Sequence, residues 1–246
     1  MIENGGTIAA LPMYDWPERH AEVDAQWATI SDVLRQHGIA APVHLARGVG
    51  DLLDFWKIPD LLFSQTCWGP MEQGLDQYVQ VVGQQNYDGI EGGAGAFYSS
   101  AIVMRRKDAG GFQAVKAPEG DEAVLPIEAM RGLRLAYNVP DSMSGIIGLS
   151  RDLEAAGAGA DIFDALVETG GHRGSIRAVA GDRADLAAID CMSWALAQLY
   201  EPAAHQLVVV GWTAKRKGLP FITSNGSSGL IVSALRSALQ AARLSA

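Results

Sequence analysis

The chain has 246 residues, 48% of them hydrophobic and 19% charged, a balance that gives ample core and excludes a disordered polymer. Its net charge of −9 comes without a run of like charges, and the densest basic cluster is Arg105, Arg106 and Lys107; nucleic acid and anionic membrane are therefore excluded as partners. Two cysteines, Cys67 and Cys191, make no disulfide framework, and no apolar run approaches the roughly 20 residues that cross a bilayer, so no membrane insertion is expected.

Residues 1–18 carry neither a basic n-region nor an apolar h-region. The expectation is a cytoplasmic protein as the sequence stands, or a periplasmic one if the chain is a trimmed mature form. "TIAALPMY" then reads as a first strand. Asp15 and Glu18 form a capping box with Pro17 in the first turn, and Val23, Trp27, Ile30 and Leu34 fall on one face of a helix ending at Gly38. "PVHLAR" reads as a second strand, "DLLDFW" as a short helix, "DLLFSQT" and "VQVVGQQ" as a third and fourth strand. Strands alternating with helices at this spacing predict βαβ units and a mainly parallel sheet.

The middle of the chain continues the pattern. "AFYSSAIVMRR" and "LRLAYN" are strands, separated by a polar stretch from Lys107 to Pro126. A helix follows Ser144, a short one enters at Gly174–Ser175, "ADLAAID" is a strand and "MSWALAQLY" is helical. "QLVVVGWT" is a strand and "GLIVSALRSALQAARL" a closing helix, with Ile231, Leu235, Ala238 and Ala242 on one face. This layout allows two α/β lobes: residues 1–98 with 205–246, and residues 99–204. A ligand would sit in the cleft, beyond the carboxyl ends of the strands.

Two junctions carry chemistry. In "NVPDSMSGI" a strand ends and a helix begins, so the first helical N–H groups lack intrahelical partners and carry partial positive charge. Ser142, Ser144 and Gly145 either cap that helix, with Ser144 as N-cap, or form an oxyanion site with hydroxyl donors and a close backbone approach. In the second junction, His172 and Ser175 start a helix and Asp190 ends the next strand. Asp190 either caps the following helix or accepts a proton from a ligand. A carboxylate beside an anion site repels a fully ionised ligand and welcomes one that keeps a proton, so phosphate, phosphite or phosphonate is favoured over sulfate.

Other signals are weaker. Cys67 with His172 would make a thiol nucleophile, but no motif supports it. "GGAGAF" lacks the third glycine of a dinucleotide fingerprint, and the scattered histidines and lone cysteines give no metal site. Trp16, Trp27 and Trp56 read as core or staple residues, Trp68 as an aromatic wall for a ligand or a structural residue, and Glu91 as a solvated loop carboxylate or a contact for a ligand amine. No cofactor is expected.

Taken in order, "LPMYDWPE", "LLFSQTCWGP", "YDGIEGGAGAFYSSAIVMRR", "LRLAYNVPDSMSGI", "GGHRGSIRAVAGDRADLAAID" and "LVVVGWTAKRKGLPFIT" resemble the phosphate/phosphite/phosphonate-type substrate-binding proteins of ABC transporters, which have the type II periplasmic-binding-protein fold. The resemblance implies two α/β lobes, each a mainly parallel sheet flanked by helices, joined by crossover segments near 98–103 and 205–213. It implies a small oxyanion ligand and an ABC permease as partner. It matches Ser142, Ser144 and Gly145 to an anion-binding turn and His172 and Asp190 to cleft residues. Tyr14, Gln65 and Thr66 fall on the other lobe, and Tyr98 near the crossing. The sequence departs from the family at Met143, where such turns commonly carry a hydroxyl, and in lacking a secretion signal. No catalytic residue is implied. The alternatives are an enzyme of cofactor biosynthesis on the same fold, and a transcription-factor effector domain that has lost its DNA-binding part.

Overall fold

A computed structural model describes residues 6–110 and 114–245. The expectation for the chain's first five residues lies outside these, as do residues 111–113 of the Lys107–Pro126 stretch. The chain divides into two compact units, Met1–Asn86 with Gly218–Ala246, and Tyr87–Lys217. The divisions fall outside the expected 98/99 and 204/205, because the strands around both expected crossings pair inside the second unit.

The first unit opens with β1 (Ile8–Ala9), much shorter than the strand expected over residues 7–14. Pro12 has no N–H to donate to a ladder, and the backbone turns away there. The expected capping box does not form. A 3-10 turn at Pro17–Arg19, with Trp16 at its N-cap, precedes α1 (His20–Gln36), while the Asp15 carboxylate is gripped by Arg47. Val23, Trp27, Ile30 and Leu34 are buried as their spacing predicts, and Gly38 takes a left-handed φ of 74° just past the helix end.

"PVHLAR" is not a strand. The Ala46 N–H reaches the Ala9 carbonyl at 2.8 Å, but the Pro42 carbonyl is taken by the Trp27 indole. Then come α2 (Leu52–Trp56), capped by Asp51, β2 (Leu61–Gln65), α3 (Trp68–Glu72) and β3 (Val79–Gln84).

The second unit contains β4 (Gly93–Ala94), β5 (Phe97–Tyr98), β6 (Ser100–Arg105), α4 (Ile127–Met130), β7 (Arg134–Tyr137), α5 (Gly148–Ala155), β8 (Ala165–Glu168) and α6 (His172–Ala180). It continues with β9 (Leu186–Asp190), α7 (Cys191–Tyr200), β10 (Leu207–Trp212) and β11 (Arg216–Lys217). Its main sheet runs β10-β6-β9-β7-β8. β7 is parallel to both β8 and β9, while β6 lies antiparallel to β9 and β10. The core holds Ile102, Met130, Leu135, Leu149, Leu153 and Leu186.

Arg105 closes one end of this sheet. Its guanidinium donates to the carbonyls of Val179 and Ala184 and to Asp185, and it also pairs with Asp108.

The chain returns to the first unit with β12 (Pro220–Ser224) and α8 (Gly229–Ala241). β12 inserts between β2 and β3, antiparallel to both, and Phe221 joins a stack of Trp27, Phe63 and Phe221. The four- and five-stranded sheets are therefore mixed, each joining parallel to antiparallel pairs, and β11-β5-β4 form a third, antiparallel sheet.

Candidate functional site

Three elements of the second unit supply the site. β9, β7 and β8 are adjacent and parallel, so their carboxyl ends open on one edge of the sheet. The segment after β7 carries Ser142, Ser144 and Gly145; the turn after β8 leads to His172, the first residue of α6; and Asp190 ends β9. The turn after β8 is tied to the end of β7, with Thr169 donating to the Tyr137 carbonyl at 2.8 Å and the Gly170 N–H to the Asn138 carbonyl at 2.8 Å. Ser175 is buried against Thr169, Oγ to Oγ 2.7 Å, so it holds this turn and lies off the cluster.

Ser142 is the cap, in place of Ser144. Its Oγ accepts from the Gly145 N–H at 3.1 Å, and its carbonyl accepts from the N–H groups of both Ile146 and Ile147. The first turn, Met143–Ile147, is thereby wound wider than an α-helix before α5 begins. This frees Ser144 from capping. Its Oγ lies 2.8 Å from His172 Nε2 and 3.4 Å from Ser142 Oγ. Gly145 has a role the sequence does not announce: a Cβ there would overlap the Asn138 side-chain oxygen, so its missing side chain makes room for that amide.

Asp190 takes the capping role that the sequence offered. Oδ1 accepts from Ser193 N–H at 2.9 Å and caps α7, while Oδ2 lies 3.2 Å from His172 Nε2. Burial pushes the His172 pKa down; the Asp190 carboxylate and the Ala188 backbone oppose it without prevailing. The imidazole is thus neutral at pH 7, and we place its proton on Nε2, where the carboxylate can accept it.

This is not a nucleophilic triad. A triad sets its serine and its carboxylate at opposite ring nitrogens, so that one passes a proton while the other orients the ring. Here both groups address Nε2. Cys191, next to Asp190, is no nucleophile either, since burial pushes its thiol pKa far up. What the cluster can do is offer hydroxyl and N–H donors to an oxyanion with one carboxylate beside them.

The remaining expected residues are placed as follows. Tyr98, on β5, is buried and stacks on Tyr87 with centroids 5.4 Å apart. In the first unit, Tyr14 is buried, Gln65 donates to Gln85 at 3.1 Å, and Thr66 is fully buried with no hydrogen-bond partner for Oγ1. The Trp68 indole donates to the Gly218 carbonyl at 2.7 Å, and Glu91 accepts from Ala117 N–H at 3.2 Å, so both tie backbone together.

Sequence reasoning missed Asn138, the residue directly after β7, whose Nδ2 is 3.5 Å from His172 Nε2. The rule that placed Asp190 at a strand's carboxyl end applied equally to it. Among the described residues, no group of three or more His, Cys, Asp or Glu is placed to hold a metal ion, and no helix is long and apolar enough to cross a membrane.

The family described as "ABC transporter, phosphonate, periplasmic substrate-binding protein" matches residues 71–245. The chain belongs to this family. Its members are substrate-binding proteins rather than enzymes, described as periplasmic partners of ABC transporters. No curated protein sequence matches the chain. Among solved structures it is similar to PhnD1 from Prochlorococcus marinus in complex with methylphosphonate, with 15% identity, 95% of this chain and 83% of that one covered, and a TM-score of 0.69. It is also similar to a binding protein component of an ABC phosphonate transporter from Pseudomonas aeruginosa, with 15% identity, 98% and 80% covered, and a TM-score of 0.63. An ancestral arginine-binding protein gives 14% identity, 96% and 92% covered, and a TM-score of 0.57. At these identities the likeness establishes the fold, that of type II periplasmic binding proteins.

Proposed function

We propose that this chain binds a phosphorus oxyanion that keeps one proton, namely phosphate, phosphite or a phosphonate, at Ser142, Ser144, Gly145, His172 and Asp190. It is a non-catalytic receptor that acts in the periplasm and hands its ligand to an ABC permease. One observation carries the reading: the Asp190 carboxylate and the Ser144 hydroxyl share Nε2 of a neutral His172 beside a serine turn at a helix N-terminus. Donors from hydroxyls and backbone N–H groups take up the ligand's unprotonated oxygens, and the carboxylate accepts the remaining proton. Sulfate brings no such proton and meets the carboxylate as a like charge. Nothing observed favours an enzyme of cofactor biosynthesis.

The test is a thermal-shift and calorimetric titration of the purified chain at about pH 7 with phosphate, phosphite, methylphosphonate, 2-aminoethylphosphonate and sulfate. A ligand at 100 times its Kd stabilises by about 2.7 kcal/mol, a shift of several degrees. Ser144→Ala is expected to weaken the best ligand by more than about tenfold, the loss of one hydrogen bond to a charged group. Substituting Tyr14, Gln65, Thr66 and Tyr98 one at a time in the same titration tests the contact that the resemblance implies for each. A response to sulfate as large as to any phosphorus oxyanion, or a response to none of them, overturns the proposal.

A further inference from the structure

The Asn138 amide is nearly unused by the fold. Its Oδ1 is buried with no hydrogen-bond partner, and Nδ2 finds His172 Nε2 at 3.5 Å, too long for a good hydrogen bond. A buried acceptor without a partner costs stability, and such groups call for an explanation in function. Its position supplies one. The amide packs over the bare Cα of Gly145, beside Ser142 Oγ, where any Cβ would overlap Oδ1. That packing pins the oxygen against the turn and sends Nδ2 toward His172. The Nδ2 hydrogens then lie beside His172 Nε2, next to which Ser144 Oγ also sits.

We infer that Asn138 is a direct ligand contact, its side-chain N–H donating to an oxygen of the bound oxyanion alongside His172 and Ser144, and that Gly145 exists to seat it. This rests on the proposed function above and adds to it a donor that lies outside the serine turn. A carboxamide fits the task because it donates without adding a formal charge, which leaves the carboxylate of Asp190 to read the ligand's proton.

The experiment titrates phosphate into the wild-type chain, Asn138→Asp and Asn138→Ala, from about pH 8 down to pH 5. Asn138→Ala should bind about tenfold more weakly across the range, as expected for one lost hydrogen bond to a charged group. Asn138→Asp should bind far more weakly at pH 8, where a carboxylate faces the ligand. It should recover toward wild type as acid protonates the new side chain and restores a donor, so the ratio of the Asp variant to wild type narrows on acidification. A residue that merely shapes the turn would not show this recovery, and a constant ratio overturns the inference.

Gly145→Ala provides a second route that does not depend on Asn138→Asp folding. Added to the wild type it should weaken phosphate by a similar factor, by displacing the amide. Added to Asn138→Ala it should cost little more, because the clash is gone. Additive losses overturn the inference. If the wild-type chain binds none of the oxyanions, the functional proposal falls and this inference with it. Binding that ignores Asn138 removes this inference alone.

Discussion

Asp190→Asn separates the two jobs of one side chain. The asparagine keeps an oxygen that can go on accepting from Ser193 N–H, so the α7 cap, worth about 1 kcal/mol, is retained and the fold should survive. The group now 3.2 Å from His172 Nε2 is changed: a neutral NH2 replaces Oδ2. For a protonated oxyanion the lost hydrogen bond to a carboxylate is worth about 1.5–3 kcal/mol, which weakens phosphate by roughly 10- to 150-fold. For sulfate the change is opposite. Two unit charges about 4 Å apart at an effective dielectric constant of 20 repel by about 4 kcal/mol, and that repulsion disappears. The ratio of the sulfate Kd to the phosphate Kd should therefore fall by at least about 10²-fold. Calorimetric titration of both ions at pH 7, with thermal melts to confirm folding, reads this ratio. A folded variant whose ratio moves less than tenfold would show that Asp190 does not read the ligand's proton.

Two further outcomes follow from buried charge. Burial holds His172 below its ordinary pKa, so as pH falls through about 6.5 the unfolded chain takes up a proton that the native state does not. The stability tied to His172 is full above that pH and is lost toward acid, with Asp190 the carboxylate facing the ring. Urea midpoints near pH 7.5 and pH 5.5 should drop for the wild type and drop less for His172→Gln; equal drops refute the assignment. Arg105→Met strips donors from two buried carbonyls and from Asp185, whose carboxyl Arg134 and Arg105 together hold well below the usual range. It should cost about 3 kcal/mol, the low end for breaking a buried pair because Arg134 still holds Asp185, and an unchanged urea midpoint would refute it.

The sequence by itself determined the elements with strong local signals. The 3.6-residue spacing of Val23, Trp27, Ile30 and Leu34 leaves one helical face no place but the core, and the apolar runs of β2, β6, β9 and β10 can only be buried strands. It also showed that a strand ends and a helix begins at Ser142–Gly145 and at Asp190, because caps are local devices. What it could not show was pairing. β12 begins with proline and carries Thr223 and Ser224, yet it is fully buried between β2 and β3; neighbouring strands and not its own residues make it a strand. "PVHLAR" looks more like a strand and is none, because an indole claimed its carbonyl.

The site divides in the same way. Ser142, Ser144, His172 and Asp190 were legible at strand or helix termini, but Ser144, His172 and Asp190 are far apart along the chain. They meet at one nitrogen because β9, β7 and β8 lie side by side and run parallel. That both partners address Nε2, which departs from the geometry of a nucleophilic triad, is a fact of distance. So is the need for glycine at 145, which depends on an amide seven residues earlier folding back over it.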